Sequence, residues 1–475
     1  MSFRQLNMIK HFSIVLAIDA KGGIGHFDGL KYTIPFKSST DLKHFKNTTC
    51  STEIPNKTNV IIMGRKTYDS LQKELPNRIN VVLSRNKDVS SYNNFEDTYE
   101  HFKKDPSIEK IFVIGGAELI NSCLDHPELE YIYLSEFDKD YDCNIFCDNI
   151  KKYCDKIVWQ TKCDDVTISK YTVKKHPEYQ YINLIDDIIK NGVKRNTRNS
   201  NTYTVFGRSI EYNFEDGFPI LTTKRVALRL VFEELMFFLR GQTDSKILAS
   251  KKVHIWDSNT TREFLDKIGL CDYEVGTMGP MYGFNWTHFG EKYIDSKTKY
   301  TGGVNQLEYA MNTIKNDPYS RRIIMTTYDP YSVKKCVLYP CHGIVVQFFC
   351  RDENNKRYLD CIMYQRSCDT ICGLPFNISS YGLLMSMICH CINNDKTYAG
   401  LRLVEGKLKI YIGDTHIYDE ETHINAYNEH MTRRPKKLPR LNIKKQTDDI
   451  TSFEWDDIEL VDYDAHPSIK VNMIA

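Results

Sequence analysis

Between residues 11 and 137, short apolar runs rich in β-branched residues alternate with segments of helical spacing, and this constrains the fold more than any other feature. HFSIVLAID, NVIIMG, NRINVVLS, KIFVIGG and YIYLSEF read as strands, while STDLKHFKNTT and FEDTYEHFKK read as helices between them. Strands joined through helices lie parallel, because a crossover is needed to bring the chain back to the same edge. The first part of the chain is therefore expected to be an α/β domain with a mostly parallel central sheet.

That pattern breaks in ISKYTVKKHPEYQ, where Lys174, Lys175 and Pro177 suggest a short junction. The expected division is 1–173 for the first domain, 174–180 for the junction and 181–475 for the second. The second domain opens with INLIDDIIKN, which puts Ile182, Ile185, Ile188 and Ile189 on one helical face, and its long helices and apolar strands suggest an α+β class. With 475 residues, 41% of them hydrophobic, the chain has material for two or three cores. A net charge of +1 makes no general case for nucleic acid or a membrane surface. The fifteen cysteines are scattered without a C-x-x-C pair, as expected of reduced thiols in a soluble cytoplasmic protein. The start, MSFRQLNMIKHF, lacks the apolar core of a signal peptide. ICGLPFNISSYGLLMSMICHCI is interrupted by Pro375, Asn377 and two serines, so it reads as a buried helix, not a membrane span.

In the first half, Gly64 followed by Arg65, Lys66 and Thr67, and Gly115 with Gly116, each stand between a strand and a helix. Glycine there lets backbone N–H groups approach a phosphate, although such turns are often only turns. With Ser84 and Arg85 closing another strand, they point to a phosphate-rich dinucleotide. Asp41 shares a helical face with Phe45; a carboxylate in a first turn also complements the helix dipole.

In the second half, VLYPCHGIVV sets Cys341 beside His342. Neighbours on a strand point to opposite faces, so the two are not expected to form a nucleophile–base couple. The CHC at 389–391 falls on a helix where neighbours diverge, and no metal site is expected. Activation of the thiol would need positive charge, for which Arg366 and the pair Arg321–Arg322 are candidates, together suited to a phosphate. Glu234 sits on the apolar stripe of RLVFEELMFFLRG, where burial would raise its pKa; Glu233, on the face of Arg229, is expected to meet solvent.

GGIG at 22–25, IPF at 34–36, DLKHF at 41–45, IMGRKT, NRINVVLSR and IGGAE occur in the order found in dihydrofolate reductases, and roughly the first 170 residues resemble that family. The resemblance implies that Asp41 binds the pterin edge and assists protonation, supported by Ser135. It implies a folate pocket lined by Val15, Leu16, Ala17, Phe36, Phe45 and Ile114, with Arg78 gripping the glutamate tail. It implies NADPH held by Ala17, Ile24, Gly64, Arg65, Lys66, Thr67, Ser84, Arg85, Gly115, Gly116, Ala117 and Glu118. Two departures stand out: Phe36 replaces the family's usual tryptophan and loses its indole donor, and four extra residues lie between Gly25 and Ile34.

From about residue 179 onward, FPILTTKR, EELMFFLRG, IWDSNTTREFL, GPMYGFNW, RRIIM, YPCHG, YQRSCD, GLPFNISSY and GDTHIY together resemble thymidylate synthase. By that resemblance Cys341 attacks C6 of dUMP, Glu234 moves protons through water, Tyr282 helps remove the C5 proton and His342 joins the water network near O4. Arg198 and Arg366 would bind the phosphate, with Arg321 and Arg322 supplied by the partner of a homodimer. Ser367, Asp369, Asn377, His416 and Tyr418 would hold the nucleoside, and Trp256, Asn259 and the Asp369 side chain would face methylenetetrahydrofolate. The phosphate loop KRNTRNSNTYTVFG is one residue shorter than usual, so Arg195 remains an alternative to Arg198. Thr277–Met278, Tyr328 and Phe237 also replace family residues.

Together the halves resemble the fused folate enzymes of protozoa and plants, with consecutive steps on one chain. The other readings are a synthase whose first half only binds folate, and an RNA-binding regulator, against which the balanced charge argues.

Overall fold

The computed structural model describes residues 11–474 except 72, 87–91, 148–149 and 198. It divides into two units between His176 and Pro177.

In the first unit, strands β1 (Phe12–Ile18), β2 (Thr58–Gly64), β3 (Ile79–Leu83), β4 (Ile108–Gly115), β5 (Leu129–Phe137), β6 (Cys154–Cys163) and β7 (Val166–Val173) make one sheet in the order β3-β2-β4-β1-β5-β7-β6. The first five are parallel, and β7 and β6 add antiparallel at one edge. The longer helices of this unit are α1 (Ser39–Cys50), α2 (Arg65–Leu71), α3 (Phe95–Lys104) and α4 (Ala117–Cys123). Near-continuous burial along β1, β2 and β4 is what a sheet covered on both faces requires.

Residues 166–173, inside the stretch where the sequence pattern breaks, form β7 against Ser135 and its neighbours on β5. Edge strand β6 is nearly all exposed, so it lacks the apolar signature of its neighbours.

In the second unit, α5 (Tyr179–Asn191) buries Ile182, Ile185 and Ile188. Glu178, expected in a junction, is fully buried just before it. Its carboxylate accepts the backbone N–H groups of Thr222 and Thr223, each at 2.8 Å. The remaining elements that position the site are β8 (Val193–Asn196), β9 (Asn201–Asn213), α6 (Leu228–Leu239), β10 (Ile324–Met325), β11 (Val345–Glu353), β12 (Lys356–Asp369), α7 (Gly373–Asn394), β13 (Leu403–Tyr418) and α8 (Glu421–Thr432). The strands form a six-stranded sheet, β8-β9-β13-β12-β11-β10, parallel only between β12 and β13. Helix α7 is buried along most of its 22 residues, so it is apolar around its circumference as a core helix must be. No helix among the described residues is long and apolar enough to cross a membrane.

Candidate active sites

In the first unit the residues read as phosphate ligands, 64–67, 84–85 and 115–118, stand at the carboxyl ends of parallel strands, where open α/β sheets place ligands, whereas Arg78 immediately precedes β3. Ser38 caps α1 by accepting the Asp41 amide at 3.3 Å, which fixes the first turn and the carboxylate on it. Burial pushes the Asp41 carboxyl up, while a hydrogen bond from Ser135 on β5 and the neighbouring His44 pull it down. Val15 packs in one cluster with Phe45 and Ile114. Leu16 points the other way, into a core shared with Ile24, as the period of a strand dictates. Ala17 and Phe36 meet in a third cluster, with the Phe36 ring 4.7 Å from that of Phe137.

Arg78 is buried, its guanidinium carbon 5.5 Å from the Phe45 ring centre. It donates to the Thr49 hydroxyl and, at 3.1 Å, to the Pro76 carbonyl. Gly64, Arg65, Lys66 and Thr67 lie where β2 runs into α2; Ser84 and Arg85 follow β3; Gly115, Gly116, Ala117 and Glu118 join β4 to α4. Gly115 has φ +146°, and a Cβ there would stand 2.9 Å from Thr67 Oγ1. Gly116 is the N-cap of α4 and has no side-chain cap. Arg85 is exposed and pairs with Glu118 at 3.1 Å.

In the second unit, Cys341 lies in the loop that leads into β11, not on the strand the sequence suggested, because the apolar run pairs with β12 only from Val345. The Tyr282 hydroxyl is 3.3 Å from Cys341 Sγ and accepts the Cys341 amide at 3.0 Å. Arg366 anchors the same loop: its amide donates to the Cys341 carbonyl at 2.8 Å, and its guanidinium donates to the Pro340 and Tyr339 carbonyls at 2.8 and 2.7 Å. Burial raises the thiol's pKa overall, against the lowering effects of Tyr282 and Arg366, so the positive charge at hand does not by itself give a thiolate. Arg321 and Arg322 are exposed in the turn before β10.

His342 stacks on Tyr282 with ring centres 4.4 Å apart, and its Nδ1 is 3.0 Å from the Tyr381 hydroxyl. Burial drives it down to about 3, so the ring is neutral. Glu234 accepts from Trp256 Nε1 at 2.8 Å, and burial raises its carboxyl to about 7. Glu233 departs from expectation. It is buried, because Lys251 folds over this face of α6 and donates to its carboxylate at 2.7 Å. Arg229, on the same face, donates to the Lys251 carbonyl.

Asn377 on α7 donates to Gln365 Oε1 at 3.1 Å, and Gln365 in turn donates to the Ser367 carbonyl at 3.2 Å. The Asp369 carboxylate accepts the amides of Ile371 and Cys372, each at 3.0 Å, and lies 3.4 Å from His423 Nε2. His416 lies 2.9 Å from Asp414 Oδ1, with its ring against Tyr418. Asn259 is buried, and its Nδ2 has no hydrogen-bond partner among the described residues. Arg195 donates to Asp414 at 3.0 Å; Arg198 lies outside the described residues. Sequence reasoning missed Tyr381, whose only signal was a polar ring in an apolar helix.

Residues 179–475 match the family model for thymidylate synthase, and residues 11–177 match that for dihydrofolate reductase. The chain is 36% identical to the bifunctional dihydrofolate reductase-thymidylate synthase 2 of Arabidopsis thaliana, covering 97% of this chain and 88% of that one. It is 37% identical to the bifunctional enzyme of Paramecium tetraurelia, over 98% and 99% of the two chains. With that of Leishmania major it shares 34% identity, over 98% and 95%.

Proposed function

The chain belongs to the bifunctional dihydrofolate reductase–thymidylate synthase family, and on that premise we propose how its residues divide the work. The enzyme converts dUMP to dTMP with methylenetetrahydrofolate and reduces the resulting dihydrofolate to tetrahydrofolate with NADPH.

In the synthase unit, Cys341 is the nucleophile, its thiolate forming a bond to C6 of dUMP and leaving C5 electron-rich. The observation that carries this assignment is the double contact of Tyr282 with Cys341, which places a hydroxyl beside both the sulfur and its own amide. Loss of the thiol proton is favoured when phosphate-binding arginines and substrate complete the site. Glu234, titrating near 7, exchanges protons through water during the C5 steps. His342 stays neutral and orients that water, and Asn377 reads the uracil edge. Ser367, Asp369, His416 and Tyr418 hold the nucleoside, while Trp256 and Asn259 face the folate. Asn259 supports this with a buried amide nitrogen that has no partner among the described residues. Arg366, Arg321 and Arg322 bind the phosphate, the last two across a homodimer. That assembly is supported by Phe349, Ile362, Tyr364 and Tyr411, exposed apolar residues on β11–β13. Arg198 is the further phosphate ligand, with Arg195, whose guanidinium already donates to Asp414, as the alternative.

In the reductase unit, Asp41 binds the pterin and serves proton delivery, Ser135 orients its carboxylate, and Arg78 receives the folate's glutamate carboxylate. NADPH supplies hydride when bound. The residues fit it: the Gly115–Gly116 step against Thr67 is a cradle that a Cβ would fill. Arg65, Lys66, Thr67, Ser84 and Arg85 would hold its phosphates. Fifteen free cysteines support a reducing, cytoplasmic location.

A mixing experiment tests the shared synthase site. Cys341→Ser and Arg321→Ala, each inactive alone, regain synthase activity together if arginines cross the interface; continued inactivity contradicts the assignment.

A further inference from the structure

The arginine pair expected to cross to a second subunit sits in a turn with little to hold it. The helix Gln306–Asn316 ends at Asp317, and the chain next pairs regularly at Ile324. Between them, the Ser320 amide donates to the Asp317 carbonyl at 2.9 Å. Among the described residues, the only side-chain hydrogen bonds made by residues 317–322 are those of Tyr319.

Tyr319 is largely exposed, so core packing does not explain its position. Its hydroxyl donates to Asp352 Oδ2 at 2.6 Å. Asp352, at the end of β11, also accepts from Arg357 on β12 twice, at 2.8 and 2.9 Å. The Arg357 guanidinium lies 5.3 Å from the Tyr319 ring centre and donates to its hydroxyl at 3.4 Å. Arg357 is buried, and its fork holds the carboxylate in one orientation; hydrogen bonds from Arg357 and Tyr319 lower the Asp352 carboxyl to about 2.

We propose that Tyr319, Asp352 and Arg357 form a clamp that ties the 317–322 turn to the β11–β12 hairpin and thereby presents Arg321 and Arg322 to a nucleotide phosphate. The hairpin supplies the rigid part, since its two strands pair from Val345–Tyr364 to Glu353–Lys356 without a register shift. The inference rests on the reading of Arg321 and Arg322 as phosphate ligands. Tyr319, Asp352 and Arg357 are positioning residues, acting through the turn and touching no substrate.

Tyr319→Phe keeps the ring over Arg357 and removes only the hydroxyl, and at an exposed site it leaves folding intact. In the full-length enzyme it is expected to raise the KM for dUMP about fivefold with kcat within about twofold. The inhibition constant of inorganic phosphate, competing with dUMP, should rise in proportion, whereas the KM for methylenetetrahydrofolate should stay the same. Asp352→Asn should reproduce the pattern, and the double variant should be no worse than the worse single one. Unchanged dUMP and phosphate constants in both variants, or equal rises for dUMP and the folate, would overturn the clamp. Equilibrium binding of inorganic phosphate, which needs no turnover, separates this failure from that of the underlying reading: if Arg321→Ala leaves the dissociation constant unchanged, the arginines are not ligands. If Arg321→Ala raises that constant while Tyr319→Phe does not, the clamp alone is wrong.

Discussion

Tyr282 binds Cys341 at two points, its hydroxyl 3.3 Å from the sulfur and 3.0 Å from the amide nitrogen that donates to it. The tyrosine reaches this position from a backbone at φ +33°, a conformation non-glycine residues rarely adopt, and its ring lies against those of Phe238 and His342. Strain held by this packing makes the hydroxyl a fixed element of the site. Tyr282→Phe should lower synthase kcat about a hundredfold or more while dUMP affinity changes little, as separate kcat and binding measurements would show.

Glu234 sets a pH limit on the same site. Its carboxyl titrates near 7 when folded against an ordinary 4.5, so the folded state holds the proton more tightly. Its contribution to stability is therefore complete below about 4.5 and is lost as pH rises through about 7. Synthase rate against pH should bend near 7, and Glu234→Gln should remove that bend along with most of the activity. His342, driven to about 3, should contribute no inflection between pH 5 and 9, taken as about the working range.

Asp41 behaves likewise in direction. Burial raises its carboxyl, and protonation is the form from which a proton can be delivered, so reductase rate should fall as pH rises through the raised pKa. Asp41→Asn should slow NADPH oxidation about a hundredfold and flatten that profile. An unchanged pH profile in the variant would remove Asp41 from proton delivery.

Gly115 has no room for a side chain. With φ +146° and Thr67 Oγ1 2.9 Å from an added Cβ, Gly115→Ala should cost about 1–3 kcal/mol of reductase-unit stability. It should also raise the KM for NADPH, which steady-state kinetics together with thermal unfolding would detect.

Much of this was legible in the residues because burial on both faces writes an apolar run: the expected strands at 59–64 and 110–116 became β2 and β4. Strand β6 was not legible, since an exposed edge carries little apolar pattern. Glu178 looked like junction because a single carboxylate gives no sign that two threonine amides, more than forty positions along the chain, will bury it. Glu233 was misplaced for the same reason: helical spacing shows which face a residue occupies, but not that Lys251 will cover that face. The loop at Cys341 read as strand because proline and glycine beside an apolar run fix no starting register. Tyr319 joins residues 33 and 38 positions away, a relation that only tertiary structure discloses.

The central claim is that one chain performs both steps, and a single absorbance record tests it most directly. Purified enzyme receives dUMP and methylenetetrahydrofolate, and NADPH is added afterwards. Dihydrofolate should appear first and NADPH should then be consumed, with Cys341→Ser abolishing the first phase and Asp41→Ala the second. Accumulation of dihydrofolate with NADPH untouched would contradict the account, leaving the first unit as a folate-binding domain and Asp41 without its assigned role.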